Sequence, residues 1–131
     1  MKLPTVTTVV SRERVREFAM ATGDDSPVYC DLAAAQAAGH PDVPLPPTML
    51  FGIGAELDGN AVFDALGLVP AQVLHVEQSF VFHLPVHAGE ELTFVSVAST
   101  SDRRGSAFVV QETEVFRAGV LVADLREVLM A

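Results

Sequence analysis

Residues Thr48–Leu57 read TMLFGIGAEL, and residues Val73–Phe82 read VLHVEQSFVF. The first is nearly unbroken apolar sequence opened by a hydroxyl, which predicts a helix buried on most sides. The second alternates polar and apolar residues in part, which predicts a strand with one face on a core. Three more segments of that second kind follow, Glu91–Thr100, Ala107–Phe116 and Val120–Leu129, all rich in Val, Phe or Thr. The turn signals LPVHAGE, SDRRGS and RAG separate them. A buried helix followed by long strands at this spacing predicts an antiparallel sheet wrapped around that helix, and the class is α+β.

Toward the N-terminus, the β-branched run Val6–Val10 reads as a first strand or an extended arm. Ser11 stands where an N-cap belongs, ahead of a helix over Arg12–Thr22 with Val15, Phe18 and Ala19 on one face. Gly23 ends it. After the turn Asp24–Tyr29, Asp31 caps a second, Ala-rich helix that stops at Gly39. His40–Pro47 holds four prolines and cannot be regular structure. Ala61–Leu66 adds a short helical piece. Neither a repeat nor a linker interrupts the chain, so residues 1–131 are expected to form one domain.

A chain of 131 residues can bury roughly two-thirds of its unfolded surface, enough for one core. Half of the residues are hydrophobic and 19% are charged, which excludes disorder. Mean hydropathy is +0.36, an excess that points to a buried helix, a lipid-like ligand or an oligomer interface. No apolar run reaches the roughly 18 residues of a membrane span. The opening MKLPTVTTVVSRER lacks the pattern of a signal peptide. With Cys30 the one cysteine, nothing marks an oxidising compartment, and a cytoplasmic protein is expected. The net charge of −9 argues against nucleic acid. The four histidines, His40, His75, His83 and His87, lack metal-ligand spacing, so neither a metal nor a cofactor is expected.

Several residues are open to two readings. Asp24 is a candidate catalytic carboxylate, yet Gly-Asp before Pro is also a turn formula. Tyr29 is a hydrogen-bond donor to a ligand or a ring packed under the turn. Cys30 with His40 would make a nucleophile and base, although a lone Cys is more often a small apolar residue. His75 and Glu77 lie two apart on a strand and are expected to share a face, as an acid/base pair or as ordinary alternation. His83 and His87 flank a turn and are expected to be solvated. Arg103 and Arg104 are a phosphate clamp or hairpin charge.

The order of these pieces resembles the MaoC-like hot dog fold, in its FAS1-like dehydratase N-terminal branch. The family motif G-D-x-N-P-x-H is matched by Gly23-Asp24-Asp25-Ser26-Pro27-Val28-Tyr29. Asp31 and the spacing Ala35–Gly39 follow the pattern. Pro46-Pro47-Thr48 is similar to the A-P-P-T ahead of the central helix. Leu74-His75-Val76-Glu77-Gln78-Ser79-Phe80 is similar to L-H-G-E-Q-x-F, and His83–Glu90 to a strand turn R-P-V-x-A-G-D.

The resemblance implies chemistry on acyl thioesters of CoA or acyl-carrier protein: (R)-specific hydration of a trans-2-enoyl thioester, or the reverse dehydration of the 3-hydroxyacyl form. The motif Asp and His would activate the water, and a backbone N–H of the central helix would polarise the thioester carbonyl. It implies catalytic positions at Asp24 and Tyr29, and substrate contacts at Pro47, Thr48, Met49, Phe51 and His75. Met49, Leu50, Phe51 and Ile53 also serve as the core of the helix. Arg103 and Arg104 would meet phosphate. A tyrosine with a pKa of about 10 is a poor base at neutral pH, so Tyr29 in place of His puts independent catalysis in doubt. The expected role is an accessory subunit in a homo- or heterodimer with another hot dog chain. The alternatives are a self-sufficient hydratase using Asp24, a hot dog thioesterase using Glu56, or a non-catalytic lipid-binding module.

Overall fold

In the computed structural model, which describes residues 1–58 and 61–131, local signals start and stop the first helices. Ser11 Oγ accepts from the Arg14 N–H at 3.2 Å and opens α1 (Arg12–Ala21). Gly23, at φ +76°, closes it as the Asp24 N–H turns back to the Ala19 carbonyl at 2.8 Å. A 3-10 turn over Pro27–Tyr29 follows, and Asp31 caps α2 (Leu32–Ala37) by accepting from Ala33 N–H at 3.0 Å. The proline-rich loop then leads into α3 (Met49–Asp58), and α4 covers Ala61–Leu66.

The strands are β1 (Val6–Val9), β2 (Leu74–Phe82), β3 (Glu91–Arg103), β4 (Ser106–Arg117) and β5 (Val120–Met130). They form one antiparallel sheet in the order β1-β3-β4-β5-β2. Strands β3 and β4 outrun the expected bounds because Arg104 and Gly105, at φ 53° and 82°, make a two-residue hairpin. Ala118 and Gly119 do the same between β4 and β5. Such turns match the right-handed twist of their strands, so pairing runs to the tip.

Helix α3 lies on the inner face of this sheet. Leu50, Ile53, Phe94, Val115 and Ala123 meet in the main core, and each large side chain there contributes about 1.5–3 kcal/mol. A Cβ on Gly54 would stand 3.4 Å from the Phe94 ring, so the missing side chain lets helix and sheet close up. Burial on most sides is corrected, however. Met49, Leu50 and Ile53 are the buried residues of α3, while Ala55, Glu56 and Leu57 are exposed, because the sheet covers one side only. A second core, with Leu3, Val62, Ala98, Val109 and Leu129, lies beneath α4.

Two expectations for β2 also fail. Its residues are mostly exposed on both faces, because it is an edge strand with one neighbour, β5. His75 and Glu77 do not share a face: they pair with the consecutive residues Leu129 and Val128, so Val76 is the extra residue of a bulge. The bulge turns Glu77 toward Arg126, at 3.1 Å, and leaves His75 over the Phe51 ring, with centroids 5.0 Å apart. No helix among the described residues is long and apolar enough to cross a membrane.

Candidate functional site

An outer cavity of about 430 Å³ opens where the proline-rich loop meets the β2–β3 connection. Tyr29, His40, Pro46, Pro47 and Leu50 line it, with His83 opposite. The first N–H groups of α3 have no partner within the helix, so this end carries the positive end of the helix dipole. Tyr29 is half-buried against the main core. Burial pushes its phenol above the usual tyrosine range, and the Asp24 carboxylate adds to the effect. Asp24 itself is exposed and accepts from the Ser26 N–H at 3.0 Å, which holds the turn in shape.

Behind this cavity runs a chain of polar contacts that the sequence does not announce. His40 Nδ1 lies 3.1 Å from His87 Nε2, and His87 Nδ1 lies 2.9 Å from Glu90 Oε1. Arg117 donates to Glu90 Oε2 at 2.5 Å and to the Pro85 carbonyl at 2.8 Å. His87 is 5% exposed, which corrects the expectation that it is solvated; the Pro44–His87 bridge folds it inward. The tautomers that satisfy both contacts have His87 donating from Nδ1 to Glu90 and accepting at Nε2 from the Nδ1–H of His40. His83 does remain at the surface, 2.6 Å from Asp124.

An inner cavity of about 200 Å³ lies on the sheet side of α3. Phe51 and His75 line it, whereas Leu50 lines the outer one, so the helix forms a wall of both. Asp58, Gln78, Gln111 and Glu127 also border the inner cavity. His75 Nε2 is 3.1 Å from Gln78 Oε1 and 3.8 Å from Glu127. Burial raises the Glu127 carboxyl above its usual range; His75 opposes this and Asp58 reinforces it. Burial also raises Asp58, against hydrogen bonds from the Ala61 N–H and the Gln111 amide.

The substrate contacts expected together are therefore divided. Pro47 lines the outer cavity; Phe51 and His75 line the inner one. Thr48 is exposed and Met49 is buried in the core, and neither lines either cavity. Arg103 and Arg104 sit at the β3–β4 hairpin tip, with the Arg103 guanidinium 5.4 Å from the Phe108 ring centre. Cys30 is exposed and does not line the cavity that holds His40. Glu56 points out to Arg14, at 2.5 Å, so the α3 acid that borders a cavity is Asp58. Gln111 and Glu127 did leave a trace in the sequence. Each takes an inward position at spacing two, Val109-Gln111-Thr113 and Leu125-Glu127-Leu129, where apolar residues are the rule. Among the described residues no cluster of potential metal ligands occurs.

The whole arrangement has relatives. The family model for the FAS1-like dehydratase domain region matches residues 1–125. A UPF0336 protein of Streptomyces coelicolor is 47% identical over 94 residues, 71% of this chain and 63% of that protein. The chain thus spans less than two-thirds of the curated relatives matched first. A chain of the HadBC (3R-hydroxyacyl-ACP dehydratase) complex from Mycobacterium tuberculosis superposes with TM-score 0.84 at 30% identity, over 99% of this chain and 93% of that one. A MaoC-like dehydratase superposes with TM-score 0.87 at 26% identity, over all of this chain and 40% of that one. With a sheet packed on one central helix, the motif turn beside that helix's first turn, and a family match over nearly its full length, the chain belongs to the FAS1-like dehydratase family, of MaoC-like hot dog fold.

Proposed function

We propose that the 131 residues act as one hot dog domain, the acyl-thioester-binding subunit of an (R)-specific enoyl-thioester hydratase or 3-hydroxyacyl-thioester dehydratase. The observation that carries this reading is that Tyr29, at the motif's histidine position, lines the same cavity as the start of α3. A thioester carbonyl seated there would accept from the helix N–H groups, which stabilise the enolate oxygen as charge builds on it. Hydration adds the water oxygen to C3 and a proton to C2, and a base must take a proton from that water. A phenol raised above its usual range is not that base at neutral pH.

The base therefore comes from a second hot dog chain with an intact Asp and His. Edge strand β2 favours such a partner: Leu74, Val76, Val81 and Phe82 are exposed along an unpaired edge, where another strand can add. The substrate is a CoA or acyl-carrier-protein thioester, with Arg103 and Arg104 available to phosphate, and the compartment is the cytoplasm. Purified chain given trans-2-hexenoyl-CoA should show no hydration. Tyr29→His should gain turnover, by about 10²-fold or more over that background, since a positioned base contributes on that scale. Asp24→Asn added to Tyr29→His should remove it.

One observation favours a second reading, a self-sufficient hydratase. His40 lines the same cavity as Tyr29 and is held through His87 by Glu90, as an oriented base would be. Turnover by the unaltered chain, lost in both His40→Gln and Asp24→Asn, would replace the first reading with this one.

A further inference from the structure

In a chain of net charge −9, the outer cavity has no acidic residue in its lining among the described residues. Its polar side chains are Tyr29, His40 and His83, and its walls are otherwise apolar, with Leu50 and Phe82 among them. The nearby acids are engaged with cations outside it. Asp42 accepts from Arg12 at 3.0 and 2.7 Å, Glu90 is shared between His87 and Arg117, and Asp124 lies against His83. Asp24 acts on the Tyr29 phenol, but it is exposed to solvent and does not line the cavity.

His40 commits Nδ1 to His87, which leaves Nε2 for a ligand. The histidine pair can take one proton at that Nε2 and keep its contact, because the Nδ1–H still donates to His87. A second proton would fall on His87 Nε2, the atom that accepts from His40, and would break the contact. Histidine is the side chain that gains charge just below neutral pH. Arg117 already answers the charge of Glu90, so a proton on His40 adds a positive charge without a counter-ion at the wall of a largely apolar cavity.

We propose that the outer cavity is a pH-dependent site for the carboxylate of a short free acid, which accepts from protonated His40 and from the Tyr29 O–H while its chain lies against Leu50 and Phe82. Burial keeps the Tyr29 phenol protonated and therefore a donor. A volume of about 430 Å³ falls within the roughly 300–1,000 Å³ of small-molecule pockets. A bond between two charged groups is about twice as strong as a neutral one, which sets the carboxylate apart from an uncharged ligand of equal shape. The proposal goes beyond the acyl-thioester reading and does not need it; where both hold, the free acid competes with the thioester.

The test compares hexanoate with hexanamide, its uncharged counterpart of the same shape, titrated into isotope-labelled chain and followed by NMR. At about pH 6 hexanoate should shift the His40 ring signals and bind about tenfold or more tighter than the amide. At about pH 8 that preference should fall to about threefold or less. His40→Gln should remove the preference, and His83→Gln should leave it. Absence of hexanoate binding, equal affinities at the lower pH, or a preference that does not change with pH would overturn the proposal. The unaltered chain decides this even if a variant fails to fold. Addition of hexanoyl-CoA separates the two claims. Hexanoate held at His40 and undisturbed by hexanoyl-CoA would uphold the proposal and count against the thioester reading. Binding of hexanoyl-CoA with no preference for hexanoate would do the reverse.

Discussion

The outer and inner cavities share helix α3 but are built in opposite ways. The outer one is made of loops and turns, with Tyr29, His40 and Pro46-Pro47 close in sequence, and its polar groups are tied off behind it by Glu90 and Arg117. The inner one is made of regular elements, with side chains from positions as distant as 58, 75, 111 and 127, and it retains an unanswered acceptor. Loops place reacting groups at a surface, while a rigid helix-on-sheet frame can hold a polar group in the core. Under the proposed function, the outer cavity is where the thioester end of a substrate would sit.

The contrast can be broken most severely at the shared frame. Phe94→Ala removes the ring under Gly54 and should cost about 3–5 kcal/mol in chemical denaturation, disrupting the inner wall above all. If stability hardly changes, the inner cavity is already loose and its shape means little. Next in size is the tie behind the outer cavity. Glu90→Gln leaves His87 and Arg117 without their anion and should cost about 2 kcal/mol, measured the same way.

A smaller effect is a difference in pH dependence. Glu127 has a raised pKa in the folded chain, so its contribution to stability is full below the ordinary glutamate range and is lost as pH rises through the raised value. Glu127→Gln should flatten that loss in a series of denaturation curves from acid to neutral pH, with Asp58 left to supply the remainder. An unchanged profile would mean that Glu127 ionises freely against water. Gln111→Leu should matter least. Exchange of a buried amide for an apolar side chain removes an orphaned acceptor and one long hydrogen bond, so ligand-free stability should move by about 1 kcal/mol or less.

Much of the outer region was readable before folding. Ser11, Gly23 and Asp31 act within one turn of their own position, and their bonds form where sequence alone predicts them. The motif turn that ends at Tyr29 is equally local, and so is the proline-rich entry to α3. The burial of His87 was not readable, because nothing in LPVHAGE announces the Pro44 bridge that turns it inward. The shared face expected of His75 and Glu77 fails for a sharper reason: a bulge at Val76 reverses the side on which every later residue of β2 falls.

Sequence by itself determined the α+β class, the central helix, the succession of strands along the chain and the motif turn with its tyrosine. Each of these follows from caps, periodicity and turn residues that act over a few positions. Tertiary structure alone decided which side chains meet. It joined His40 to His87 and Glu90, and it gathered Asp58, Gln111 and Glu127 around one cavity. Those meetings depend on strand register and on the seating of α3 against Phe94, and a register is a property of two segments at once, which no single stretch of sequence contains.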